Sequence, residues 1–326
     1  MSEFPKNNFF KIFLFLIFVT ALCGQQRYNF EHISIPEGLS NTQVWDVIQD
    51  KYGFLWIATN DGLNRYDGYT FKIFKNDPGD KTSLPNNSAY SLRIDNDGKL
   101  WVGTSTGFCK YNSANETFKT FLPDSNRIGS SSNQILNIIQ DNKNRMWILT
   151  SDGIFTFNEK TNEIQKTYMK DGKNKVAITG ITASLLETSS GEIYSDHNFL
   201  GLIKYNEGTN LFERVDVDPK NPGILKEQIV MALYEDKTGK IWISGQNGFY
   251  NYNPHTGSFN EIKLFKKDPN PGFWTNAVGE LYKDNNGFLW IATFTNGIFR
   301  YNMKTNEIVP LDQSEFPNTV RNANGF

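Results

Sequence analysis

Apolar and polar residues alternate in short runs along this chain, and clusters of Asp, Asn and Gly separate the runs. Val44–Gln49 (VWDVIQ), 54–59 (FLWIAT), 63–66 (LNRY) and 70–74 (TFKIF) follow one another in this way. A period of two is that of a strand with one face buried, and the turns are too dense for helical repeats. The sequence therefore predicts four short strands joined by turns at Asp50-Lys51-Tyr52-Gly53, Asp61-Gly62 and Asp67-Gly68. Gly takes a positive φ at little cost, and Asp bonds its own backbone across a turn.

The four-strand unit recurs six times. Its most regular mark is a large ring in the second strand, at Trp56, Trp101, Trp147, Tyr194, Trp242 and Trp290, spaced 45 to 48 residues apart. Asp-x-x-Gly precedes this ring, and Thr, then Asn/Asp-Gly, then Tyr-Asn follow it. The third copy has Asn144 in the Gly slot, which suits a residue that tolerates the left-handed conformation. The fourth is degenerate, with Glu187, Gly191 and Tyr194, and Ser195-Asp196-His197 in place of Ile-x-Thr. Four strands at this period predict an all-β fold, a β-propeller of four-stranded antiparallel blades. One blade cannot bury both faces, so the six ring residues are expected between blades.

The motif D-x-x-G-x-L-W-I-x-T-x-x-G-L-x-x-Y-D/N resembles the two-component regulator propeller repeat, and the resemblance runs from about Tyr28 to Gln313. It implies the exported sensor region of a Bacteroidetes-type hybrid two-component receptor. Such a receptor continues into further propeller repeats, a membrane-proximal β-domain, a membrane helix, a histidine kinase and a regulator, and none of these is legible in this sequence. Residues 28–35 (YNFEHISI) match the fourth-strand slot. Six full repeats plus this strand suggest part of a seven-bladed ring, truncated in its seventh blade. The alternative is a six-bladed propeller with 28–35 as a stray edge.

Composition adds an address and several exclusions. Lys6 and Lys11 precede an apolar run, Ile12 to Leu22, and a processing site before Gly24. This order predicts a signal peptide over 1–23, a propeller sensor domain over 24–326 and a periplasmic location. An uncleaved anchor and a lipoprotein lipidated at Cys23 are the other readings; the full receptor would sit in the inner membrane. A net charge of -2 argues against nucleic acid. Cys23 and Cys109 are too few for a disulfide scaffold or a multi-Cys zinc site. No cofactor or metal is expected. Three His and no nucleophile elbow, HExxH or P-loop leave no catalytic set. A propeller lyase or hydrolase with a channel-mouth site, and a protein-interaction scaffold, remain as competing classes.

Connections on one face of such a propeller are long, and long loops on a rigid scaffold are where binding concentrates. The short connections around the channel mouth there offer Asn60, Asp61, Ser105, Thr106, Ser151, Asp152, Asp196, His197, Gln246, Asn247, Thr295 and Asn296. Such a ring suits a polyhydroxylated ligand, an oligosaccharide or other small extracytoplasmic molecule. Trp274, in a long loop on the same face, either stacks on a sugar ring or fills a gap between blades. The Asp196-His197 break is either a ligand-facing specialisation or drift.

Overall fold

The computed structural model describes residues 32–127, 129–178, 184–197, 200–215, 230–245, 248–264, 278–293 and 297–311. The strands form one compact unit over Ile33–Leu311; His32 belongs to a second unit, of which it is the one described residue. The expected signal peptide lies outside the described residues, and no helix among those described is long and apolar enough to cross a membrane.

Six antiparallel sheets follow one another along the chain as the blades of a β-propeller. Blade 1 has strands at Val44–Gln49, Leu55–Thr59, Gly62–Tyr66 and Phe71–Phe74, hydrogen-bonded in sequence order. Blades 2 to 6 span residues 89–121, 135–166, 185–214, 230–262 and 278–310. Short 3-10 turns at Ile35–Glu37 and Ser131–Asn133 are the helical content among the described residues. The strand expected over 28–35 is not found in its described part: Ile33 and Ser34 lie outside any strand, and Ile35 opens a 3-10 turn.

The Asp and Trp of the repeat form a clamp. In blade 2, Asp95 Oδ1 accepts the backbone N–H groups of Asp97 (3.0 Å) and Lys99 (2.8 Å), closing the turn. Its Oδ2 accepts the Trp101 indole N–H at 2.8 Å. The same indole-to-carboxylate bond joins Trp56 to Asp50, Trp147 to Asp141, Trp242 to Asp236 and Trp290 to Asp284, at 2.8 to 3.0 Å. One side chain thus satisfies the turn backbone and fixes the ring buried above it.

Blade 4 departs from this plan. Thr188, not Glu187, takes the Asp slot: its N–H and C=O make the turn bonds to Glu192 and Gly191. Tyr194 replaces Trp and donates its hydroxyl to Glu192 (3.1 Å). An added hairpin, Tyr168–Asp171 and Asn174–Ala177, joins the outer strand Leu211–Arg214 in parallel, so this sheet has six strands rather than the four expected.

The core lies between blades. Trp56, Ala58, Leu63 and Phe74 of blade 1 pack against Ala89, Leu92, Val102 and Cys109 of blade 2. Trp101, Phe108 and Phe121 of blade 2 meet Ile135, Ile138, Met146 and Ile148 of blade 3 in the same way. The two ends of the series differ. Val44 and Val47 are 41% and 50% exposed, although their counterparts Ala89 and Leu92 in blade 2 are 0% and 5% exposed. The lead-in covers only the outer part of this face: Leu39 is buried, and Ser40 exchanges hydrogen bonds with Asn64. In blade 6, Trp290 is half-buried, while Trp101 and Trp147 are fully buried.

Candidate functional site at the channel mouth

Antiparallel pairing brings the start of each blade's innermost strand beside its second-to-third turn: Val44 pairs with Thr59 and Ala89 with Thr104. One device then repeats. The N–H groups of Asn60, Ser105 and Ser151 donate to the carbonyls of Gln43, Ser88 and Gln134, at 3.4, 3.0 and 3.1 Å. The Thr before each turn bonds across it to the following Gly carbonyl, as in Thr104 to Gly107 (2.8 Å). Six of the expected residues are therefore placed alike at one edge of blades 1 to 3: Asn60, Asp61, Ser105, Thr106, Ser151 and Asp152.

Several of these groups are already engaged. Asp61 accepts Lys75 Nζ at 2.7 Å, and Asp152 accepts Lys166 Nζ (2.7 Å) and the Ser132 hydroxyl (2.8 Å). Burial raises the Asp152 pKa, but the Lys166 and Ser132 bonds prevail and hold it below the ordinary carboxylate range. Thr106 donates to the Pro85 carbonyl (3.1 Å), and Ser151 donates to the Gln134 side chain (2.7 Å).

Asp196 and His197 lie elsewhere than expected. They close the strand Ile193–His197 rather than forming a turn, and both are buried. Asp196 occupies the slot of Ala58 and Gly103, and accepts the Ser184 N–H at 2.9 Å. His197 takes the slot of the turn-bonding Thr. Gln246, Asn247, Trp274, Thr295 and Asn296 fall outside the described residues.

The sequence reading missed a bulge. In five blades the pairing of the innermost strand skips one residue near its start: Trp45, Tyr90, Leu136, Met231 and Gly279. A bulge leaves the extra residue unpaired and re-aims its side chain. Trp45 is 49% exposed. Its indole N–H donates to Asn60 Oδ1 (2.8 Å), and its ring meets Tyr90 edge-on, with centroids 5.4 Å apart and planes at 85°. The signal available in the sequence was the break of alternation in VWDVIQ, where a Trp stands between Val44 and Asp46.

The next position carries polar groups that tie neighbouring blades together. Asp46 accepts the Leu92 N–H (2.7 Å), and the Ser91 hydroxyl accepts the Ile138 N–H (3.2 Å). Blade 6 has Glu280 there. Burial raises the pKa of both carboxyls; the Leu92 bond offsets part of this for Asp46, and the Asp46 charge adds to it for Glu280.

Two clefts lie at the opposite edge, among the Asp-x-x-Gly turns. One, of about 670 Å³, runs between Asn142-Lys143 and Glu192, Lys204 and Glu207; the other, of about 360 Å³, lies between Asp50-Lys51 and Lys99. Ion pairs border the first: Arg145 bridges Asp141 and Glu207, and Lys204 pairs with Glu192. No cluster of three or more His, Cys, Asp or Glu suited to a metal occurs among the described residues.

The hairpin with its clamp, together with the mouth turn, defines the class. Residues 38–61, 83–106 and 129–152 match the two-component regulator propeller model, and each match ends on a mouth pair. The fold is that of a β-propeller, and three of its repeats match the two-component regulator propeller model. The chain is 43% identical over 76 residues to histidine kinase P4 of Formosa agariphila, covering 23% of this chain and 6% of that protein. Its fold is similar to the extracellular domain of a candidate hybrid two-component system from B. thetaiotaomicron, with TM-score 0.68, 23% identity, and coverage of 87% of this chain and 37% of that one. It is also similar to virginiamycin B lyase from Staphylococcus aureus, with TM-score 0.61, 13% identity, and coverage of 83% and 85%. The chain thus spans 6% of that histidine kinase and 37% of that extracellular domain, and its likeness to both solved structures is one of fold alone.

Proposed function

We propose that this propeller is the extracytoplasmic ligand-sensing part of a two-component receptor and that it binds a glycan at the channel mouth without turning it over. One observation carries the reading: blades 1 to 3 present a pair of short polar side chains at the same edge, each held by the same backbone bond to the entry of the innermost strand. A rigid scaffold that offers hydroxyl, amide and carboxylate groups in equivalent places suits a ligand with many hydroxyls. The matched repeats and the histidine kinase relative favour a sensor over an enzyme. The leader-like residues 1–23 favour export to the periplasm. On this reading, signal passes to further propeller and membrane-proximal domains of the same receptor.

Calorimetry of the full chain against purified oligosaccharides tests this. Saturable binding with the saccharide recovered intact is expected. If no saccharide binds and a purified protein does, the domain is a scaffold; if a saccharide is cleaved, it is an enzyme.

A further inference from the structure

We infer that the Trp45–Tyr90 step at the channel mouth is a stacking subsite for one pyranose ring of an oligosaccharide. This rests on the glycan-binding reading and gives it a place. Single exposed apolar side chains are common and need no explanation. Trp45 differs in that its ring is fixed from two sides. Asn60 holds the indole N–H, and Asn60 is held in turn by its Nδ2 donating to Gln43 Oε1. Tyr90 packs against the ring with the two planes nearly at right angles, from the same bulge position of the next blade. Half of the Trp45 surface nonetheless stays in water.

A fixed and uncovered indole is pre-organised for one kind of partner. The C–H face of a pyranose is apolar and carries slightly positive hydrogens, which meet the negative face of the ring. Its hydroxyl edge would then lie by Gln43, Asn60 and Asp61, which supply both donors and acceptors. Little side-chain entropy is lost on binding, because the rotamer is already held. Trp101 and Trp147 are fully buried and cannot serve in this way.

The test titrates the full chain and three variants with cellohexaose, laminarihexaose, xylohexaose and a chondroitin sulfate hexasaccharide. It is read by calorimetry and by iodide quenching of tryptophan emission. For any saccharide that the wild type binds, Trp45→Ala should weaken affinity about thirtyfold, as truncation of a buried aromatic anchor does. Trp45→Phe keeps a six-membered ring but loses the fused pyrrole ring with its N–H, so it should lose less than Trp45→Ala and stay within about fivefold of wild type. Tyr90→Ala frees the ring and should fall between the two. The saccharide should also protect wild-type emission from iodide, and this protection should vanish in Trp45→Phe. Unchanged circular dichroism and melting temperature in Trp45→Ala would assign its loss to the site. Undiminished affinity in Trp45→Ala overturns the stacking subsite alone. Failure of every saccharide to bind the wild type overturns the glycan reading and the subsite together.

Discussion

Trp101 offers the sharpest test of how the blades hold together. It is fully buried, with its ring 5.7 to 6.0 Å from Phe108, Phe121 and Phe157, the last from the next blade. A Trp side chain buries roughly 150–250 Å², which at about 25 cal/mol per Å² is about 4–6 kcal/mol. A compact unfolded state lowers this towards the 3–5 kcal/mol typical of Trp→Ala in cores. The substitution also leaves Asp95 Oδ2 without its indole donor, with Lys110 Nζ only at 3.9 Å. An unsatisfied buried acceptor adds about 1–3 kcal/mol. Trp101→Ala should therefore cost about 4–8 kcal/mol, and Trp101→Phe, which keeps most of the apolar contact, about 2 kcal/mol. Trp290, which is less fully buried, is the internal control: its Ala variant should lose less than Trp101→Ala. Guanidinium melts followed by circular dichroism and fluorescence give the three values. A loss under about 1 kcal/mol for Trp101→Ala, or a larger loss at Trp290, would refute the inter-blade placement of the ring.

Three further outcomes are expected. Glu280 holds its proton to higher pH in the fold than in the unfolded chain, so its contribution to stability falls as pH rises from about 4.3 through its folded value; Glu280→Gln should raise the melting temperature at pH 7 and leave it nearly unchanged below pH 4, and equal effects at both pH values would count against the crowded carboxyl pair. Burial pushes the Cys109 thiol far up, so in a Cys23→Ser chain it should react with a thiol reagent only as fast as the protein opens; rapid native-state labelling would show that the blade 1–blade 2 contact is misassigned. At Gly107, φ is +105° and a Cβ would lie 2.7 Å from the Phe121 carbonyl, whereas Gly68, at +97°, has open space; Gly107→Ala should thus destabilise by about 2–4 kcal/mol against about 1 kcal/mol for Gly68→Ala, and equal melting shifts would contradict the close approach.

The fold was legible because its signals are local. The Asp-to-Trp spacing of six residues, the glycine slots and the period-two runs each act within one hairpin, and the strand Val44–Gln49 was predicted with its observed bounds. What failed was non-local or irregular. Thr188 takes the Asp slot of blade 4 because the turn is set by backbone bonds, which a degenerate copy can make without its carboxylate. The hairpin 168–177 joins a strand more than 30 residues further on, in parallel, and no periodicity announces such a partner. At the mouth, Asn60, Asp61, Ser105, Thr106, Ser151 and Asp152 were found through the turn motif. Trp45 was not, since a bulge shifts register by one residue and alternation alone assigns the wrong face. Asp196 and His197 looked like turn residues from their polarity, but the strand carries them into the buried wall.

The clamp and the core divide the labour of this molecule between two length scales. Each Asp–Trp bond closes within six residues, inside a single hairpin, while apolar packing runs only from one blade to the next. A fault in one copy therefore stays with that copy and its two neighbours. Blade 4 shows the result: it has lost both clamp residues and gained a hairpin, and blades 3 and 5 still close their turns on Asp141 and Asp236. A lineage of such repeats can rewrite one blade at a time, and so change what the mouth meets, without renegotiating the rest of the ring.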